Sequence, residues 1–417
     1  MTTQPVSTAS RAAAIDPPEP DLTPEEMIAR AAALRPKLLE QQEETEERTY
    51  YSEDLHEEFL RAGFYRTYIP RRYGGYEFGV DTYCRVLQEL ARGCPNSAWC
   101  MGLAGNHALQ IGSWFPEDAQ AEIFGDGDFR AASVAMPIGA ATRTADGWEL
   151  NGKIAYASGI PYSTHYMGQA FMPDTDMANP QFLLFVAPKG EWTMLDDWGR
   201  LLGLKGSGSH SIVFDHGWIP TNWGVENTFM IDVDVSNGTP GLELHRNPMY
   251  AGRAIGPFTL SLAAITIGAA YCALDEYELM METKTGPRPP MVPRKFDIDY
   301  QRWYGEALTK IGLAEAAVRN AAEQHMDICQ RFVDEGIPFA FGDDMLIGSI
   351  AREAYLQAWE TMQGVIWRTA GSSAAAKGER MERIFRDLSM MNGHRNTVLR
   401  DWAFRAIARE RFGLPRE

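Results

Sequence analysis

Two histidines and two serines are the residues of this 417-residue chain best suited to chemistry. His107 follows the apolar run Met101-Gly102-Leu103-Ala104-Gly105-Asn106, and His394 follows Asn392-Gly393 near the C-terminus. An imidazole has an ordinary pKa of about 6.5, so either ring can accept, share or return a proton at neutral pH. Ser158 stands between Ala157 and Gly159, where a small hydroxyl donates a hydrogen bond without crowding its partner. Ser133 lies in Ala132-Ser133-Val134, and Trp99 precedes His107 within the same helical stretch. By type alone, a histidine in so apolar a helix reads as a packed core residue, and a serine beside a glycine as part of a turn. His107 and His394 are far apart in the chain, so only the fold can bring them together.

Motifs for other chemistries are missing. The chain has no G-x-G-x-x-G after a strand, no G-x-x-x-x-G-K-[ST], no H-E-x-x-H and no G-x-S-x-G, so a nucleotide cofactor would have to be held in another way. Lys205-Gly206-Ser207-Gly208-Ser209 and Gly371-Ser372-Ser373 are donor-rich loops able to contact a phosphate or a polyol chain, and either is equally a plain turn. The five cysteines are odd in number, form no C-x-x-C and are mostly flanked by apolar residues. That spacing fits reduced thiols in a cytoplasm better than zinc or disulfides. A formal net charge of −17 argues against nucleic acid or an anionic membrane as partner.

The elements that must position these residues follow from pattern. Residues 1–20 read as a disordered tail. Residues 21–127 read as an N-terminal helical domain. Thr23-Pro24-Glu25-Glu26 has the form of a capping box for a helix running to Thr45, and Ser52, Asp81 and Asn96 or Ser97 begin the next three. Another starts at Pro116 and closes at Gly125. Residues 128–240 read as a β-domain, a compact barrel or sandwich, with strands near 147–152, 166–172, 181–187 and 211–214. Residues 241–417 read as a four-helix bundle with helices near 252–284, 297–334, 341–370 and 380–410. The uncharged stretch Ala254–Leu274 is long enough to cross a bilayer, but its Gly, Pro and Ser content favours a helix buried in the bundle.

This order, mainly α with a central β-domain, resembles the acyl-CoA dehydrogenase superfamily. The resemblance rests on Gly147-Trp148-Glu149-Leu150-Asn151-Gly152-Lys153 leading to Tyr156-Ala157-Ser158-Gly159, and on Asp197 through Ser209 followed by Val213 through Pro220. Gly268 through Leu274 and Arg383-Ile384-Phe385-Arg386-Asp387 complete it. Many dehydrogenases of this superfamily carry a catalytic Glu just before the glycine of the last motif. Here Asn392 stands there, and His394 follows Gly393. That exchange resembles two-component flavin-dependent monooxygenases of the same fold, among them 4-hydroxyphenylacetate and steroid-phenol hydroxylases.

The resemblance implies that reduced FMN or FAD, supplied by a separate NAD(P)H-flavin reductase, reacts with O2 through a C4a-hydroperoxyflavin to hydroxylate a phenolic or other aromatic substrate in a homotetramer. It implies His107, Ser158 and His394 as catalytic residues, and Trp99, His107, Ser133 and His394 as substrate contacts. Ser133, Ser158, Ser207, Ser209, Arg253 and Ser372 would contact flavin. The chain departs from the pattern at Ile154, often Trp, and at Tyr250-Ala251, often Tyr-Arg, where Arg253 would substitute; Ala135-Met136-Pro137 replaces the Thr-Glu-Pro of true dehydrogenases. Rival readings are an S- or N-oxygenating monooxygenase, an acyl-CoA dehydrogenase with a relocated base, and a non-catalytic flavin-binding subunit.

Overall fold

A computed structural model describes residues 15–125 and 127–416. The expected disordered tail falls mostly on residues 1–14, outside the described residues. Its last part is held in place: Ile15 bridges to Tyr73 and Glu19 pairs with Arg30 at 2.7 Å. Thr23 forms the capping box, with the Thr23 N–H donating to Glu26 Oε2 at 2.9 Å and the Glu26 N–H to Thr23 Oγ1 at 3.2 Å. The helix it opens is broken into Pro24–Ala33, Arg35–Glu40 and Gln42–Arg48, because Pro36 has no N–H to continue the first segment. Ser52 caps Glu53–Ala62, which stops at the left-handed Gly63. Asp81 does not act as a cap; Val80–Gly93 starts two residues earlier than that cap would allow, from Gly79.

Eight strands follow: β1 (Ala131–Ser133), β2 (Gly139–Arg143), β3 (Gly147–Ile154), β4 (His165–Phe171), β5 (Phe182–Pro188), β6 (Thr193–Met194), β7 (Ile212–Pro220) and β8 (Gly224–Glu226). They form one mixed sheet in the order β6-β7-β3-β2-β4-β5-β8, with β1 parallel to β4. β1, β2, β6 and β8 are too short for alternation to reveal from sequence. Because β1 pairs Ser133 with Met167, Ser133 is carried to the edge of the sheet that faces the helices.

The helix Ile255–Thr283 is the axis of the molecule. The most apolar window of this helix is 89% buried, so the bilayer-length stretch is a core helix. It packs against Val80–Gly93, Ile298–Glu335 and Phe341–Thr361. Gly268 permits the first of these contacts: a Cβ there would lie 2.3 Å from the Gln88 carbonyl oxygen. Two of the four expected bundle helices are interrupted. The third passes into a π-helical turn at Met362–Trp367, and the fourth breaks into Arg380–Asn392, Arg395–Val398 and Arg400–Arg411. The second break falls at Gly393-His394, where the His394 side chain caps the next segment.

Candidate active site

Three layers of the fold meet at one cavity of about 100 Å³. The N-terminal helices contribute His107 and Gln110, and the strand region contributes Ser133, Ala135, Met230 and Ile231. The C-terminal bundle contributes Phe258, Thr259, Arg352, His394, Asn396 and Trp402, among others. Among the described residues no Asp or Glu lines it. His107, Ser133 and His394 are therefore brought together as expected, although each comes from a different layer.

The hydrogen bonds of the two imidazoles give them opposite roles. His107 sits where the helix Pro95–Asn106 ends. Its Nδ1–H donates to the Ala131 carbonyl at 2.7 Å, so the neutral ring keeps a lone pair on Nε2. His394 Nδ1 instead accepts the Asn396 backbone N–H at 3.1 Å, so its proton lies on Nε2. One ring thus offers an acceptor and the other a donor. Burial pushes the pKa of each down to about 4, which keeps both neutral at physiological pH.

That effect is general in this chain. Seven of the eight histidines are lowered, chiefly by burial; only exposed His216, beside Glu149, is raised. As pH falls below about 6.5 the unfolded chain takes up protons that the folded chain refuses until about pH 4, so stability falls across that window. Asp344 and Asp387, raised by burial to about 6 and about 7, act in the opposite direction but are fewer. The apparent Tm at a fixed scan rate should drop by roughly 5 °C between pH 7 and pH 5. An unchanged or rising Tm would show that these rings are charged in the fold.

Behind the cavity a polar chain runs into the β-domain. The Trp99 ring meets His394 edge-on, with centroids 5.4 Å apart, and Trp99 Nε1–H donates to Ser158 Oγ at 3.2 Å. Ser158 Oγ lies 2.7 Å from Ser209 Oγ, which lies 2.7 Å from Ser207 Oγ. Gly159 is needed beside Ser158: its φ is +83°, and a Cβ there would sit 2.5 Å from the Cys100 carbonyl oxygen. The loop carrying Ser207 and Ser209 is clamped from two sides. Asp387 Oδ1 accepts the Leu204 N–H at 2.7 Å, and Asp387 Oδ2 accepts Asn96 Nδ2–H at 2.7 Å. Asn96 Oδ1 in turn accepts the Gly206 N–H at 2.8 Å. Asp387 is fully buried, with Arg386 paired to Glu46 close by.

Two of the residues expected to contact flavin do not line this cavity. Arg253 is buried against the Phe341 ring, donates Nε–H to the Phe339 carbonyl at 3.3 Å, and lines a separate recess near the C-terminus. Ser372 is exposed at the start of the short 3-10 helix Ser372–Ala375, away from the cavity. Arg253 was expected as the substitute for the Arg of a Tyr-Arg pair and Ser372 from its donor-rich loop, and the packing of the bundle sets both apart from the cavity that holds the two histidines. Conversely, Arg352, Gln110 and Asn396 line the cavity without being among the sequence candidates. A signal existed for Arg352: with Asp344, Gly348 and Tyr355 it shares the buried side of Phe341–Thr361, where a charge is out of place.

These layers define a protein class. Residues 25–123 match the family of acyl-CoA dehydrogenase N-terminal domains and residues 260–398 that of acyl-CoA dehydrogenase C-terminal domains; together they cover more than half of the chain, which belongs to the acyl-CoA dehydrogenase family. Within it the chain is 25% identical over 400 residues to a pigment production hydroxylase of a Rhodococcus species, covering 95% of this chain and 98% of that one. It is 28% identical over 254 residues to HsaA of Rhodococcus jostii, the oxygenase subunit of a flavin-dependent monooxygenase, covering 60% of this chain and 64% of that one. Among solved structures, XiaF from a Streptomyces species, in complex with FADH2 and glycerol, superposes with a TM-score of 0.83 at 20% identity over 94% of this chain and 96% of that one.

The residues present fit a flavin. Ser133 Oγ is buried without a partner, and the linked hydroxyls of Ser158, Ser209 and Ser207 can each donate or accept. Ser158, Ser207 and Ser209 would contact the polar edge and side chain of the ring system, and Ser133 would lie between it and a substrate.

Proposed function

We propose that this chain is the oxygenase component of a two-component monooxygenase that hydroxylates a phenolic or other electron-rich aromatic ring. The observation that carries the reading is the pair of neutral imidazoles, one acceptor and one donor, on a cavity that no carboxylate lines among the described residues. An acyl-CoA dehydrogenase needs a carboxylate base at such a site, and Asn392 stands in its place. Reduced FMN or FAD, when bound, supplies the electrons that activate O2. His107 Nε2 accepts a hydrogen bond from the hydroxyl of the bound phenol, which raises electron density on the ring where oxygen is transferred. His394 Nε2–H donates towards the incoming oxygen, and Trp99 holds that imidazole edge-on. The apolar lining from Phe258, Ile231 and Trp402 excludes water from the reacting atoms. A separate NAD(P)H-flavin reductase delivers the reduced flavin. A homotetramer and a cytoplasmic location belong to the same proposal.

The test combines the purified chain, a flavin reductase, NADH and O2 with a panel of phenols, and identifies products by mass. Hydroxylated product containing one atom of 18O from 18O2 supports the reading. Bleaching of bound oxidised flavin by an acyl-CoA, with no phenol oxidised, would reverse it in favour of a dehydrogenase. In the same assay Ser158→Ala should shorten the lag before oxidised flavin reappears by about 10-fold and raise the H2O2 released per product, because one hydrogen bond of about 1–1.5 kcal/mol is lost. An unchanged lag removes Ser158 from the chemistry.

A further inference from the structure

The nitrogen on which His394 carries its proton is set by one backbone N–H, that of Asn396. Asn396 lies in the four-residue helix Arg395–Val398, which is too short to hold its own backbone rigidly. It is fixed instead from the helix Phe341–Thr361. Arg352 Nε–H donates to the Asn396 carbonyl at 3.1 Å and to Asn396 Oδ1 at 3.0 Å. Arg352 is buried, and its counter-charge is the fully buried carboxylate of Asp344, two turns earlier on the same helix. The guanidinium folds back along the helix: Nη1 lies 3.4 Å from where a Cβ on Gly348 would be, and Gly348 stands one turn from each partner. Among the described residues the two form no close ion pair, so the attraction acts through the dry interior, where it is strong. Asp344 is itself held, since Oδ1 accepts the Gly256 N–H at 2.7 Å in the first turn of Ile255–Thr283, and Arg253 is the other cation that acts on it. Burial lowers the Arg352 pKa to about 10 and raises that of Asp344 to about 6, so both are charged at pH 8.

From this chain of contacts we infer that Asp344 and Arg352 are positioning residues for His394: Asp344 holds Arg352, Arg352 holds Asn396, and Asn396 keeps the His394 proton on Nε2. The use of that proton as a hydrogen bond to the reacting oxygen rests on the hydroxylase reading above; the tautomer does not. His107 provides the contrast. Its tautomer is fixed by the Ala131 carbonyl, which the pairing of β1 with β4 already holds in place, so no buried charge is needed behind it. The His394 ring has no such sheet beside it, because it caps a helix that begins at a break in the bundle. A buried guanidinium with two bonds to one residue supplies the missing rigidity. Removing Asp344 would leave that guanidinium without its balancing charge and free to turn away from Asn396. The Asn396 N–H would then leave Nδ1, and the imidazole could carry its proton on either nitrogen.

The experiment records solid-state 15N NMR spectra at pH 8 of the full chain labelled with 15N-histidine, in which protonated and bare ring nitrogens resonate far apart. His394→Gln and His107→Asn identify the signals of the two rings. The wild type should carry its proton on Nε2 in His394 and on Nδ1 in His107. Arg352→Met should lower the ratio of Nε2–H to Nδ1–H in His394 by about 5- to 10-fold, the worth of one hydrogen bond, and leave His107 unchanged. Asp344→Asn, which keeps an acceptor for the Gly256 N–H, should lower it by about 2- to 5-fold, and Arg352→Lys should keep it within about twofold of the wild type. If Arg352→Met does not fold, Asp344→Asn decides the matter. A wild-type His394 protonated on Nδ1, a ratio unmoved by these substitutions, or a shift of His107 and His394 together would overturn the inference and leave the hydroxylase reading to its own assay. The expected spectra combined with no oxidation of any phenol would overturn that reading alone.

Discussion

Replacing His107 with Asn should lower the rate of product formation by about 10²- to 10³-fold, the usual contribution of one positioned proton acceptor. Oxygen consumption should continue, so the loss appears as uncoupling to H2O2. The Ala131 carbonyl holds the His107 proton on Nδ1 and leaves Nε2 for the substrate. The shorter Asn side chain can satisfy Ala131 but leaves no acceptor at the Nε2 position. The pH profile gives a second, independent check. Because burial holds the His107 and His394 pKa values at about 4, the acid limb of the rate should lie well below the ordinary imidazole range. A limb near pH 6.5, or a His107→Asn variant retaining activity within threefold, would remove the imidazole pair from the mechanism. His394→Ala should lose activity similarly, with a stability cost of about 1 kcal/mol because the cap of Arg395–Val398 is also removed.

Asp387→Ala should destabilise the fold by about 3–5 kcal/mol and abolish coupled turnover even in the protein that remains folded. The change leaves Asn96 Nδ2–H and the Leu204 N–H buried without an acceptor, and leaves Arg383 and Arg386 with less neutralising charge. Asp387→Asn discriminates between charge and geometry. One oxygen becomes an NH2 that faces another donor, either Asn96 Nδ2 or the Leu204 N–H. Asn96 cannot turn to relieve the first conflict without losing its bond from the Gly206 N–H. The near-isosteric variant should therefore lose about half as much stability as Ala by urea denaturation. It should also mimic Ser158→Ala in flavin reoxidation, since the freed loop carries Ser207 and Ser209. A variant with wild-type stability and coupling would show that the loop is held by other contacts.

Much of the architecture was legible in the chain because local chemistry specifies it. Thr23 with Glu26, Ser52 with Gly63, and Gly125 mark helix ends through side-chain caps or glycine stops that act within a few residues. The uncharged run over the central bundle helix was readable as core because no other soluble environment suits it. The breaks were harder. The turn at Met362–Trp367 and the interruption at Gly393-His394 arise where packing overrides a helix-compatible sequence. Asp81 was a reasonable cap by type, yet the helix gains two residues by starting from Gly79. Short strands such as β6 and β8 exist only because a neighbouring strand offers partners.

The site divides along the same line. The sequence was enough to recognise the scaffold and to note that Asn392 is no base, since both depend on short motifs, and the resemblance those motifs carry is what pointed to His107, Ser133, Ser158 and His394 as candidates. Tertiary structure decided which nitrogen of each imidazole is free, that Trp99 links His394 to the serine chain, and that Asp387 secures the loop. It also moved Arg253 and Ser372 away from the cavity and put Arg352 on its wall. The physical reason is that tautomers, desolvation and buried charge depend on distances of a few ångströms between atoms remote in the chain, and no local pattern encodes them.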